Sequence, residues 1–161
     1  MSQVDSGGGH NGLFAKFNSP SQVLSNLVLP LLDLGIRLWV AQVFFTSGLA
    51  KIKSMSTTIA LFENEYSVPL LSPEVAAYLA AGAELFFPVL LFAGLAGRFA
   101  GLGLFVLNLV AWHSYANTDF ASTAGHIDHF VWMLMLAYVV ARGPGKLSVD
   151  HFVKKWWRNR Q

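Results

Sequence analysis

The chain has 161 residues, 54% of them hydrophobic and 12% charged, against about a quarter charged in an ordinary soluble domain. That much apolar surface cannot be hidden in one small soluble core, and long uncharged runs point to lipid as the solvent. A formal net charge of +2 says little by itself, and the lack of cysteine excludes disulfides, thiolate metal sites and cysteine nucleophiles.

Residues 1–26 are polar and glycine-rich (SGGGHNG) and predict a disordered tail, without the pattern of a cleavable signal peptide. The predicted membrane domain covers 27–145. Its first apolar segment runs over 27–50, and Pro30 predicts a break, leaving 34–50 to span and the preceding residues at the interface. Asp33 and Arg37 are four apart, hence on one helix face, and predict a structural ion pair. Lys51 and Lys53 close the segment. In the long connection that follows, TTIALFENEY predicts an amphipathic helix lying on the outer surface.

The second helix is predicted over 75–97, introduced by Ser72 as N-cap, Pro73 at the first helical position and Glu74 in the first turn. A third is predicted over 99–115 and a fourth over 126–141. About 20 apolar residues cross roughly 30 Å of hydrocarbon. The second segment meets that easily, the third is tight, and the fourth is short in its fully apolar part. Its assignment as spanning rests on charge. With four crossings, one side receives Lys16, Arg37, Arg98, Arg142, Lys146, Lys154, Lys155, Arg158 and Arg160, and the other only Lys51 and Lys53. That asymmetry predicts cytoplasmic termini. Residues 146–161 form a basic, aromatic tail suited to an anionic leaflet, with Trp156 and Trp157 at headgroup depth. Since the membrane domain accounts for its charge, no nucleic-acid partner is expected. The fold class expected is an all-α integral membrane protein, a four-helix transmembrane bundle.

Threading the chain in this way collects polar residues in the outer half of the bundle. Glu84 lies ten residues below Glu74, roughly 15 Å in by helix rise. Lys51 caps the first helix, Asn108 and His113 come late in the third, and His126, Asp128 and His129 open the fourth. Ionisable groups inside a membrane usually face the bundle, pair, and mark function. Each has a plainer reading: Glu84 as a paired helix lock, Asn108 as interhelical glue, and His113 beside Trp112 in the interfacial belt. Three chemistries could use the set. A quinone site needs an apolar slot, donors for its carbonyls and a proton carrier, which Glu84, His113, Asn108, Lys51 and Trp112 would serve. A b-type haem would need two facing imidazoles, such as His113 and His129. A metal would draw on His113, His126 and His129. No hydrolase triad, phosphate-binding glycine loop or zinc-protease helix is present.

Several landmarks in order carry a resemblance: SGLAK (47–51), Glu84 followed by GLAGR (94–98), His113, and GPGKLSVD (143–150). Over about 34–151 the chain resembles the DoxX family of small bacterial membrane proteins. The resemblance implies a four-helix, multi-pass protein of the bacterial inner membrane with a redox association, since relatives include a subunit of a thiosulfate:quinone oxidoreductase. It picks out Arg37, Lys51, Glu84, Arg98, His113 and Asp150 as matching polar positions. Without cysteine, sulfur chemistry would need a partner. The expectation is therefore a quinone-interacting membrane subunit working with a partner oxidoreductase. In it Glu84 and His113 handle protons, Lys51, Asn108 and Trp112 bind quinone, and Arg37, Arg98 and Asp150 hold helix ends. The alternatives are a non-catalytic anchor or assembly factor for soluble partners, and a small transporter or metal-handling protein.

Overall fold

The computed structural model describes residues 20–66, 68, 70–116 and 122–160, and the described residues contain helices, turns and loops but no strand. The elements are α1 (Pro20–Val23), a π-helical turn (Leu24–Val28), α2 (Leu29–Lys53), α3 (Met55–Asn64), α4 (Pro73–Ala93), α5 (Gly97–Ala116), α6 (Thr123–Arg142) and α7 (Val149–Arg158). Most of the expected disordered tail lies outside the described residues. Its last part does not behave as expected, because the chain is helical from Pro20.

Pro30 does not break the first helix. Leu24–Lys53 runs as one helix of 30 residues, and the π-helical turn sits directly before the proline. A proline removes one N–H and crowds the carbonyl four residues back, and the wider turn relieves both. The consequence is that Asp33 and Arg37 lie within the bundle, both buried, and not at an interfacial break.

α4 starts as expected, with Ser72 Oγ accepting from the Val75 amide at 3.4 Å and Pro73 in the first turn. It stops at Ala93 and not at 97, because Gly94 adopts a left-handed φ of +68° that ends the helix. α6 begins three residues earlier than expected, with Ser122 Oγ accepting from the Gly125 amide at 3.1 Å. With one more residue at its end, Arg142, it has 20 residues, enough to cross a bilayer. Three helices, Leu24–Lys53, Pro73–Ala93 and Thr123–Arg142, are long and apolar enough to do so. α5 also has 20 residues, roughly 30 Å at 1.5 Å per residue.

α2 packs on α4, α4 on α5, α5 on α6, and α6 back on α2. All four supply the main core: Val40, Ala41 and Phe44 from α2, Leu91 from α4, Ala100 and Leu104 from α5, Leu136 and Val139 from α6. The outward faces are apolar as well, with Trp39, Phe86, Phe92, Phe130 and Leu134 all more than half exposed. Such a surface is stable only against lipid or another apolar partner. The expected surface helix is α3, and it is docked: Phe62 packs with Ala76 and Ala77 of α4. Thr58 Oγ1 also donates to the carbonyls of Lys51 and Ser54 at 3.0 and 3.1 Å.

Candidate functional site

At the α3 end of the molecule, Lys51 Nζ meets Glu84 Oε2 at 2.6 Å and also donates to Ser47 Oγ at 2.9 Å. Helix periodicity explains the first layer. Ser47 and Lys51 are four apart on α2, so both face α4. Gly48 lies between them, and a Cβ there would stand 3.0 Å from the backbone carbon and Cβ of Glu84. Only glycine lets α4 come close enough to bring the carboxylate to the ammonium. The Glu84 side chain keeps 7% of its exposure and the Lys51 side chain 21%.

The pair borders a cavity of about 510 Å³. α3 and the following loop roof it with Phe62 and Tyr66, whose rings pack edge to face at 5.2 Å. Small residues such as Ala80, Ala83 and Ala111 leave the space, and the remaining wall is mostly apolar. Leu79 of α4 and Val106 of α5 also border it, and both are more than half exposed on the outward apolar surface. The cavity therefore opens sideways between α4 and α5, toward the lipid-facing surface.

Among the described residues, the imidazole that reaches this cavity belongs to His129 of α6. Its partner is Asn108 of α5, which is fully buried. Asn108 Nδ2 donates to the His129 carbonyl at 2.8 Å, which turns Asn108 Oδ1 toward His129 Nδ1, 2.7 Å away. An amide oxygen can only accept, so Nδ1 carries the proton and Nε2 is left as the basic nitrogen. Trp132 packs edge-on against the ring at 5.0 Å.

The expected residues thus divide. Glu84, Lys51 and Asn108 come together here. His113 is exposed near the end of α5 and does not border the cavity. Trp112 does not border it either, and its indole N–H is buried without a hydrogen-bond partner among the described residues. His126 Nδ1 lies 2.8 Å from the Ser122 carbonyl at the start of α6. Among the described residues no three His, Asp or Glu side chains are placed to hold a metal ion. Ser47 was not among the expected site residues, though its i,i+4 spacing from Lys51 is a visible signal, and His129 was expected only as a haem or metal ligand.

The other four polar positions assemble at the opposite end. Asp33 and Arg37 do not form the expected pair. Asp33 accepts from Tyr138 Oη at 2.6 Å and from Arg142 Nε at 3.0 Å, both on α6. Arg37 donates to the Pro144 and Leu147 carbonyls, each at 2.7 Å, in the loop before α7. Neighbours on other helices outcompete the partner one turn away. Asp150 caps α5 from a distance, its two oxygens accepting from the Ala96 and Gly97 amides at 2.9 Å each, while its own amide donates to the Gly94 carbonyl. Arg98 donates to the Ala141 carbonyl at 3.3 Å.

The family model described as DoxX matches residues 32–117. A protein of Haemophilus influenzae described as uncharacterized is 32% identical over 124 residues, which is 74% of this chain and 82% of that protein. No solved structure gives a significant match.

Proposed function

This chain belongs to the DoxX family, and from that premise we propose that it is a quinone-interacting subunit of the bacterial inner membrane. In this reading α2, α4, α5 and α6 all span, both termini face the cytoplasm, and a partner oxidoreductase supplies the electrons. One observation carries the proposal. A cavity of about 510 Å³, walled by apolar side chains and open toward lipid, has a buried Lys51–Glu84 pair and His129 at its border. A lipid-soluble ring with carbonyl oxygens fits both halves of that description.

The donor set suits such a group. Lys51 Nζ and Ser47 Oγ stand together at the border on the α2 side, and the His129–Asn108 pair stands on the α5–α6 side. Bound there, a quinone would supply a two-electron, two-proton acceptor. Glu84 Oε2 and His129 Nε2 would hold and pass the protons. Lys51 would orient the ring and favour negative charge at its oxygen. The proton role expected of His113 passes to His129 in this arrangement. The aromatic roof of Phe62 and Tyr66 would exclude water.

The test is the quinone content of protein purified from its native membrane in mild detergent, extracted with organic solvent and quantified per chain. Near-stoichiometric quinone in the wild type, falling severalfold in Glu84→Gln and in His129→Leu while both proteins still insert, is the expected result. No quinone above an empty-membrane control would refute the reading. The Lys51–Glu84 contact also ties α2 to α4, and this favours a second reading in which the chain is a non-catalytic membrane anchor. That reading expects Glu84→Gln to lower abundance with no change in extracted quinone.

A further inference from the structure

A second cavity, of about 730 Å³, lies at the other end of the molecule, between the start of α5, the end of α6, the loop over 143–148 and α7. Its border carries Arg98, Arg142, Lys146 and Lys154 against two carboxylates, Asp33 and Asp150. Both carboxylates are already engaged. Asp150 is held by two backbone amides, and Asp33 by Tyr138 and Arg142. Arg142 is therefore paired with Asp33, and the other three cations make no ion pair among the described residues, which leaves an excess of positive charge on the border. Arg98 makes one long bond to a carbonyl, at 3.3 Å, although a guanidinium has five N–H donors. Lys146 makes only long contacts to the Ser25 carbonyl and Asn26, at 3.4 and 3.3 Å. Lys154 makes no ion pair or hydrogen bond among the described residues.

The surroundings of this cationic hollow are not those of an aqueous cleft. Phe99, one turn into α5, borders it and is 59% exposed on the same outward surface as the lipid-facing side chains. α7 lies alongside and is amphipathic. Phe152, Val153, Trp156 and Trp157 are each more than half exposed, and Lys154, Lys155 and Arg158 follow on the other side of the helix. Arg160 stacks on Trp156 at 3.7 Å, which keeps a cation at the depth of an indole. Such a helix lies in the headgroup layer with its aromatic side inward. The cavity is then at headgroup depth, with an apolar flank below and an excess of cations around it.

We propose that this cavity binds the phosphodiester headgroup of an anionic phospholipid, with Arg98, Lys146 and Lys154 on the phosphate and an acyl chain along Phe99. The proposal commits to lipid over free phosphate because the apolar flank and the α7 face would be wasted on a soluble anion. Basic pockets at the ends of membrane helices are suited to such headgroups. The site is distinct from the Lys51–Glu84 cavity, and it does not depend on the quinone reading.

The full-length protein in neutral detergent would be titrated with phosphatidylglycerol, phosphatidylcholine and inorganic phosphate, and bound species counted by native mass spectrometry. The expected result is saturable binding of about one phosphatidylglycerol, with neither phosphatidylcholine nor inorganic phosphate binding or competing. The double variant Arg98→Gln/Lys154→Gln should weaken it roughly thirtyfold, at about one surface cation's attraction per residue. Lys155→Gln/Arg158→Gln, which removes the same charge from α7 outside the cavity, should change it less than about threefold on the same scale. Equal losses in the two double variants would show diffuse attraction to the tail and overturn the assignment. Competition by inorganic phosphate would overturn it too, as a free-anion site. Arg98→Lys/Lys154→Arg keeps both charges and should retain most of the binding, and loss there with an unchanged melting temperature would count against a charge-based site.

Discussion

The Lys51–Glu84 contact offers a direct test of what holds α2 against α4. Removing one partner of a buried pair typically costs about 3–5 kcal/mol, because the other charge is left desolvated. Lys51 keeps 21% of its side-chain exposure, and a lysine stem can carry its ammonium toward water. Glu84→Gln should therefore cost less, about 1–2 kcal/mol, with the residual Ser47 contact helping to hold the ammonium. Lys51→Met strands a carboxylate with 7% exposure and should cost about 3 kcal/mol. In the double variant no charge remains to be stranded, so its loss should fall below the sum of the two by about 2 kcal/mol. Unfolding of the purified protein in mixed micelles, followed by tryptophan fluorescence as denaturing detergent is raised, gives all four corners of the cycle. Single effects that add to within about 0.5 kcal/mol would show that the 2.6 Å contact is not energetically coupled, and the reasoning would fail.

Three further outcomes are expected. Asp150→Ala leaves the Ala96 and Gly97 amides without their acceptor and should cost about 2 kcal/mol by the same unfolding assay, with Asp150→Asn recovering part of it. Gly48→Ala forces a Cβ to 3.0 Å from Glu84 backbone and should cost about 1–3 kcal/mol. Gly35→Ala, where a Cβ meets nothing within 4 Å, should be neutral or stabilising by up to about 1 kcal/mol; similar losses at both sites would discredit the close-approach argument. His129→Ala should lower extracted quinone severalfold while His113→Ala leaves it unchanged, and the reverse ranking would return the proton role to His113.

Much of this was open to reading because it depends on local chemistry. Ser72-Pro73-Glu74 marks a helix start on its own, and α4 begins there. Gly94 and Ser122 show the limit of the same rules. Several residues around 94–98 qualify as a helix end, and only the docking of Asp150 and Arg37 onto this turn selects Gly94. Asp33 and Arg37 failed as a pair for a related reason. Their spacing guarantees a shared face but says nothing of what stands opposite, and Tyr138 and Pro144 are more than a hundred residues away. Which of His113 and His129 borders the cavity was beyond the sequence in the same sense. One lies late in its helix and the other early, at a similar level, and only the packing of α6 on α5, with Asn108 Nδ2 bound to the His129 carbonyl, brings His129 to it.

The two ends of the bundle use polar groups in opposite ways, and this bears on where function resides. At the α7 end the buried charges Asp33 and Arg37 are held by contacts to other elements, and Asp150 satisfies the first amides of a helix. Those residues are consumed in joining α2, α5, α6 and the loop before α7, and replacing them should move stability first. At the α3 end the contacts of Lys51 and Glu84 among the described residues are fewer, to each other and to Ser47. Lys51 and Glu84 satisfy each other, but they do so at the edge of a cavity that several alanines keep from filling. A lock between two helices needs close packing around it, and small residues around a side-opening cavity work against that. The same sequence thus places its dense polar network where helices must be joined and its sparse one beside a side-opening cavity, so quinone content, and not stability alone, is the readout that separates a helix lock from a ligand site at the α3 end.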